Sequence, residues 1–457
     1  MIRHVHSHAP GGLAKSLLPP GRDLIRVGSR RWFLQTGLAG CANLMLADAL
    51  RARDIKPGST GKRAVILFWL SGGPSQIDTW DPKPEAAEEI RGPYKSIATS
   101  VPGIRFCEHL PLQAKLAHKL TVLRAVDCSA SDHTPITMQA GNPFARRSND
   151  GKDGGGYPSM GSVAAKFRGP NVPAMPAFVG LADSWKADVW GAGHMGTAFE
   201  PVKGNELPGR LALPSGMEMA RLQDRADLRK QFDRMQRDLD DRHRLTGSDR
   251  YTEMALEMVV SSKVQTAFDL SQEPEKLRDL YGRVSVGEKA LLARRLVEAG
   301  STYVLISGRW GYFDHHGDDV PPWGGIQKGL TPILPTIDRA LTTLIEDLDA
   351  RGLLESTLVL MLGEFGRSPV MTKDAGRNHW TPVMSMLAAG GAGQHGCTIG
   401  STDSKGGEPK TRKVTPSDLA ATVFRHLEIP LDSQWMNPQG RPVAVVGAGG
   451  APIPEMC

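Results

Sequence analysis

Seven consecutive apolar residues, 64–70, run directly into Ser71-Gly72-Gly73-Pro74. A strand covered on one face only alternates apolar and polar residues. A run with no polar member must be buried on both faces, as parallel strands are when helices flank their sheet. The Gly-Gly-Pro exit marks a tight turn at the strand's end. Shorter apolar runs recur at 120–125, 177–180, 303–306, 357–362 and 383–389. Residues 287–299, 334–348 and 417–427 carry apolar positions at helical spacing. Strands alternating with amphipathic helices predict an α/β fold on a doubly wound parallel sheet.

Residues 214–283 interrupt that alternation. The stretch 217–244 is dense in Arg, Asp and Gln with thin apolar spacing, and a second helical pattern follows at 251–267. Together they predict a helical insertion with a solvated, charged face. Asn149-Asp150-Gly151-Lys152-Asp153-Gly154-Gly155-Gly156 reads as a flexible loop.

The N-terminal segment points to a compartment. Ser29-Arg30-Arg31-Trp32-Phe33-Leu34-Gln35 is a twin-arginine export signal, followed by a small-residue apolar segment and by Ala47-Asp48-Ala49, which fits a cleavage site. Residues 1–49 are therefore expected to be a leader and 50–457 the exported domain, working in the periplasm or at the cell surface. Leu38-Ala39-Gly40-Cys41 offers an alternative, lipid anchoring at Cys41.

Charge and cysteine usage narrow the partners. The chain has 55 Lys+Arg against 49 Asp+Glu, a formal +6. The leader holds six basic and two acidic residues, so it supplies +4 and leaves +2. A nearly neutral domain gives no electrostatic case for nucleic acid. No apolar run is long enough to span a membrane after leader removal. Cys107, Cys128, Cys397 and Cys457 are widely spaced and form no C-x-x-C pair, so neither a disulfide framework nor thiolate zinc is expected.

In a sheet of this kind ligands bind beyond the carboxyl ends of the strands. The polar residues found there are Ser71, Ser75, Gln76, Asp78 and Asp81 after the first run, and Ser131-Asp132-His133-Thr134 after 120–125. Asp314-His315-His316-Gly317 follows 303–306, and Gly363-Glu364-Phe365-Gly366-Arg367 then Gly376-Arg377-Asn378-His379-Trp380 follow 357–362. Carboxylates and imidazoles without thiolates suit a divalent metal: Zn²⁺, Mn²⁺ or Fe, or Mg²⁺ or Ca²⁺ if water completes the shell.

These motifs, with Gly-Gly-Pro-Ser-Gln-x-Asp-Thr-Trp-Asp-Pro-Lys-Pro at 72–84 and Leu292-Ala293-Arg294-Arg295-Leu296-Val297-Glu298-Ala299-Gly300, resemble one bacterial family. It is the exported "domain of unknown function fifteen-oh-one" group, within the alkaline-phosphatase-like and sulfatase-like superfamily. The resemblance implies a three-layer α/β/α sandwich with a mainly parallel central sheet and a divalent-metal site. Members of that superfamily hydrolyse phosphate or sulfate esters through a Ser, Thr or formylglycine nucleophile. Carried over, it assigns metal-ligand roles to Asp314, His316 and His379, with Glu364 and Asp78 at or near a second metal. Phe365 stands where a further ligand is usual, and Ser71-Gly72-Gly73 replaces an expected Asp. Ser131 and Thr134 are the hydroxyl candidates, His133 a base or ligand, and Arg367 or Arg377 the oxyanion grip.

The expected function is an exported metal-dependent hydrolase of a small-molecule or polysaccharide phosphate or sulfate ester. The alternative is a non-catalytic metal- or polysaccharide-binding protein of the same fold, acting with an exported protein partner.

Overall fold

The computed structural model describes residues 61–146, 154–207, 261–309 and 311–457. The expected leader with Cys41, the first part of the Gly-rich loop and most of the helical insertion lie outside the described residues.

Eight strands form the central sheet: β1 Ala64–Trp69, β2 Leu120–Val126, β3 Phe178–Leu181, β4 Val202–Lys203, β5 Tyr303–Ser307, β6 Thr357–Leu362, β7 Met384–Gly390 and β8 Cys397–Ile399. Their order is β8-β2-β7-β6-β1-β5-β3-β4. β1 lies at the centre, parallel to β5 on one side and to β6 on the other. Every residue of β1 is buried, as its unbroken apolar run requires.

The side chains of β1 part by parity. Ala64, Ile66 and Phe68 enter one core with residues of the helices α1 Pro111–Leu116, α4 Ser285–Ala299 and α5 Leu334–Ala350. Val65, Leu67 and Trp69 enter a second core with residues of α2 Ile136–Ala140, α3 Met160–Phe167 and α6 Pro416–His426. Two cores on opposite faces of one sheet make the three-layer α/β/α sandwich. The helices begin where local chemistry allows. α5 has Pro335 in its first turn, where a missing N–H leaves no bond unmade. α6 opens on a reciprocal cap, in which Thr415 Oγ1 accepts the Asp418 N–H and Asp418 accepts the Thr415 N–H at 2.8 Å.

One strand runs against the others, so the sheet is mainly parallel, as the resemblance implies. β7 runs antiparallel to both neighbours, β2 and β6. Residues 363–383, between β6 and β7, contain no helix. A parallel return needs a crossover long enough to carry the chain back to the sheet's other end, usually a helix. Without one, β7 enters at the edge where β6 leaves. Its lead-in segment therefore sits with the carboxyl ends of the parallel strands.

Among the described residues no helix is long and apolar enough to cross a membrane. Cys107, Cys128, Cys397 and Cys457 are all free.

Candidate metal centre

Four strand ends deliver the site. β2 leads to His133, β5 to the loop bearing Asp314, His315 and His316, and β6 to Glu364 and Phe365. His379 comes from the lead-in to β7, where it pairs in a short antiparallel ribbon with Arg367. The loop after β1 must pass very close to this group. A Cβ on Gly72 would lie 2.5 Å from the Asp314 backbone nitrogen, and one on Gly73 2.5 Å from the Phe365 ring. Both glycines also have positive φ, 105° and 82°. Only glycine meets both demands, which accounts for the Gly-Gly pair.

His133, Asp314 and His379 converge so that one ligand atom from each lies within 4.8 Å of the others. His133 Nε2 is 3.3 Å from Asp314 Oδ2, and His379 Nε2 is 2.9 Å from Asp314 Oδ1. His316 Nε2 adds a fourth donor, 2.9 Å from that same Oδ1 and 3.0 Å from His379 Nε2. Glu364 stands behind His133: its Oε1 meets His133 Nδ1 at 2.8 Å and accepts the Gly72 N–H at 2.8 Å. Phe365 floors the group, its ring centroid 4.5 Å from that of His379 and 5.5 Å from that of His133. The imidazoles keep an outlet to solvent, with side-chain exposures of 24% for His133 and 35% for His379.

Charge is strongly coupled here. Burial alone would raise the Asp314 carboxyl, but hydrogen bonds from His133 and His379 and the Arg367 charge hold it well below the usual carboxylate range. Burial would lower His133, yet Asp314 and Glu364 together raise it to about 9. His379 shifts the other way, lowered mainly by burial and also by Arg367, against the pull of Asp314.

The remaining candidates sit elsewhere or face inward. Asp78, expected near a second metal, is buried in a fork with Arg377, Oδ2 to Nε at 2.7 Å and Oδ1 to Nη2 at 3.2 Å, and also accepts the Ser75 hydroxyl at 2.5 Å. Arg377, expected to grip an oxyanion, is 1% exposed and gives its other donors to the carbonyls of Ile90, Ser368 and Pro369. Arg367 is likewise 2% exposed. It donates to the carbonyls of Gly72, Gly73, Phe313 and Arg377 and to Asp314 Oδ1 at 2.5 Å. Both guanidiniums tie loops together, because burial demands that every N–H find an acceptor. Ser131 Oγ donates to the carbonyl of the next residue, Asp132, at 3.5 Å, whereas Thr134 Oγ1 donates to Asp132 Oδ1 at 2.5 Å.

The donor set fits a divalent cation. Neighbouring ligands around tetrahedral zinc, with bonds of about 2.0–2.1 Å, stand about 3.3 Å apart. The contacts of 2.9–3.3 Å around Asp314 match that spacing. A carboxylate behind a ligating histidine, as Glu364 stands behind His133, is the usual means of fixing its tautomer.

Sequence reasoning missed Asp188. This carboxylate is fully buried near Ser71, Ser307 and Glu364. No motif marks it; the only available signal was an acid within an otherwise apolar Ala187-Asp188-Val189-Trp190.

Comparison with known proteins adds the following. The fold resembles the PsFucS1 sulfatase from Pseudoalteromonas sp., at 12% identity over 84% of this chain and 71% of that one, with a TM-score of 0.39. Ps i-CgsB in complex with k-i-k-neocarrahexaose matches at 11% identity over 80% and 72%, also with 0.39. A phosphonate monoester hydrolase from Silicibacter pomeroyi matches at 10% over 86% and 76%, with 0.35. Scores this low carry nothing about chemistry to this chain. No curated protein matches by sequence. The profile of one family, "Protein of unknown function (DUF1501)", covers residues 62–457. The chain belongs to the DUF1501 family.

Proposed function

We propose that this protein is an exported, metal-dependent hydrolase of phosphate or sulfate esters. The observation that carries the reading is the convergence of His133, Asp314 and His379 at a partly exposed edge of the sheet. A structural metal site is closed, whereas a catalytic one keeps a position open.

His133 Nε2, Asp314 and His379 Nε2 would hold the cation, with His316 beside them. Three imidazoles to one carboxylate favour Zn²⁺ or Mn²⁺ over Mg²⁺ or Ca²⁺. When bound, such an ion polarises an ester oxygen and neutralises charge developing on it. Glu364 keeps His133 oriented, and Arg367 keeps Asp314 ionised. The Thr134 hydroxyl is the better nucleophile of the two candidates, because Asp132 accepts its hydrogen bond and stands ready to take its proton. Ser131 has no such acceptor side chain in contact.

We further propose that residues 1–49 are the export leader and 50–457 the working domain, with 214–283 inserted into it. Twin-arginine export suits a protein that carries a metal, since that route moves chains already folded.

Phe365 and the two engaged arginines favour a second reading. With an apolar ring at an expected ligand position and, among the described residues, both candidate guanidiniums engaged, the chain would bind metal or polysaccharide without turnover, alongside an exported partner. Metal content together with aryl-phosphate and aryl-sulfate hydrolysis separates the two. Turnover that needs added metal and disappears in His379→Ala supports the hydrolase. Bound metal with no turnover on either ester supports the binding protein.

A further inference from the structure

On the sheet face that carries α1, α4 and α5, each helix leads into a parallel strand: α1 into β2, α4 into β5 and α5 into β6. A helix that feeds a parallel strand runs against it, so all three begin at the edge where those strands end. There, between the starts of the three helices, lies a cavity of about 480 Å³. The loop before α1 and the turn that joins the short helix Glu275–Tyr281 to α4 complete its wall. Small-molecule sites have volumes of about 300–1,000 Å³. None of His133, Asp314, His316 and His379 lines it.

Much of the wall is hydrocarbon, supplied by Pro111, Leu112, Tyr281, Val284 and Pro335. Leu112 and Val284 are 37% and 46% exposed, and Leu280, next to Tyr281 in the chain, is 50% exposed. Seven large apolar side chains stand exposed among the described residues, and these are three of them. A hollow with apolar walls left in water gains free energy when an apolar body fills it.

The charged groups select the other end of the ligand. Both acids on the wall are turned to backbone donors. Glu108 Oε1 accepts the Lys95 N–H at 2.8 Å, and the two oxygens of Asp338 accept those of Leu112 and Gln113 at 2.9 and 2.8 Å. The two guanidiniums are less fully used. Arg283 gives Nε to Asp279 Oδ1 at 2.6 Å and Nη2 to the Glu275 carbonyl at 3.4 Å. Arg339 gives Nε to the Leu280 carbonyl at 2.9 Å and Nη2 to the Asp279 carbonyl at 2.5 Å. Among the described residues Nη1 of neither has an acceptor.

We propose that this cavity binds a small amphiphilic anion, with an alkyl chain or ring in the hollow and one carboxylate, phosphate or sulfate group on Arg283 and Arg339. Guanidinium N–H groups match the oxygens of such heads better than any other side chain does. The site is separate from the histidine cluster, and the inference does not depend on hydrolysis of any ester.

Isothermal titration calorimetry of the metal-free, full-length protein with decanoate, kept below micelle formation, tests the site. Decanoate contains no ester, so the result is independent of turnover. The wild type takes up about one decanoate per chain, at least about tenfold more tightly than decanol or decyltrimethylammonium. Arg283→Gln and Arg339→Gln each weaken decanoate at least about fivefold and leave decanol within about twofold. Val284→Asp sets a like charge against the head and weakens decanoate at least about tenfold. Residue 284 is the N-cap of α4, where Asp is a favoured cap, so this variant keeps its fold. His379→Ala binds decanoate as the wild type does. Absence of saturable binding in the wild type overturns the proposal, as does equal affinity for decanoate and decanol. Wild-type affinity in Val284→Asp also overturns it, and this variant decides should an arginine variant fail to fold. Loss of binding in His379→Ala overturns it too, because the anion would then sit in the histidine cluster.

Discussion

His133 and Glu364, 231 residues apart in the chain, meet at 2.8 Å through Nδ1 and Oε1. The contact aims the other ring nitrogen at Asp314 and leaves it available for a metal. The sequence position of Glu364 suggested a place at or near a second metal; its Oε1 is engaged by an imidazole and by the Gly72 N–H.

Glu364→Gln therefore keeps all the ring ligands in the chain but loosens one of them. Losing an orienting carboxylate of this kind weakens metal affinity about 10–100-fold. Zinc competition against a chromophoric chelator measures this. An affinity within twofold of the wild type would remove Glu364 from the centre.

Proton and metal compete for His133 Nε2. With His133 raised to about 9 in the metal-free protein, zinc affinity falls about tenfold per pH unit as pH drops from 9 to 7. His379, lowered from its usual value, has already lost its proton across that interval and adds no slope. The metal-free protein follows the opposite trend in stability. The imidazolium–carboxylate contacts are fully present below the unfolded value of about 6.5 and are lost as pH rises through about 9. Zinc titrations and denaturant melts at pH 7, 8 and 9 measure the two slopes. A flat zinc affinity would contradict the assignment of His133.

Asp78 and Arg377 make a different prediction, because they hold each other in a buried pair. Removing one partner strands a buried charge, at a cost of about 3–5 kcal/mol. Asp78→Ala accordingly lowers Tm sharply while zinc affinity in the folded fraction stays within about twofold. Lost zinc with an unchanged Tm would return Asp78 to the ligand role its sequence position first suggested.

Thr134→Ala and Ser131→Ala separate the two hydroxyls. If aryl-ester turnover is found, Thr134→Ala lowers kcat at least about 100-fold with zinc content unchanged. Ser131→Ala leaves kcat within a few fold. The reverse order would move the nucleophile to Ser131.

Much of this fold was legible because strands buried on both faces have no choice but to be apolar throughout. The runs at 64–70 and 357–362 became β1 and β6 within a residue of the expected bounds. The direction of β7 was not legible, since an apolar run reads the same either way. What sets it is the helix-free connection from β6. At the site, His379 and Asp314 carried signals in their residue type and in their place after a strand or just before one. The partner of a charge carries no such signal, so nothing in the sequence showed that Asp78 and Arg377 would meet. Asp188 lay hidden for a similar reason: it stands alone in sequence, and only the packing of β3 beside β5 brings it to the other acids.

The central claim is that His133, Asp314 and His379 grip one cation. Zinc per chain, measured by elemental analysis after dialysis of the wild type and of His133→Ala, Asp314→Asn and His379→Ala, tests it most directly. The account predicts close to one zinc ion in the wild type and at least about tenfold less in each variant. Wild-type protein that retains no zinc, or three variants that retain as much as the wild type, would contradict it.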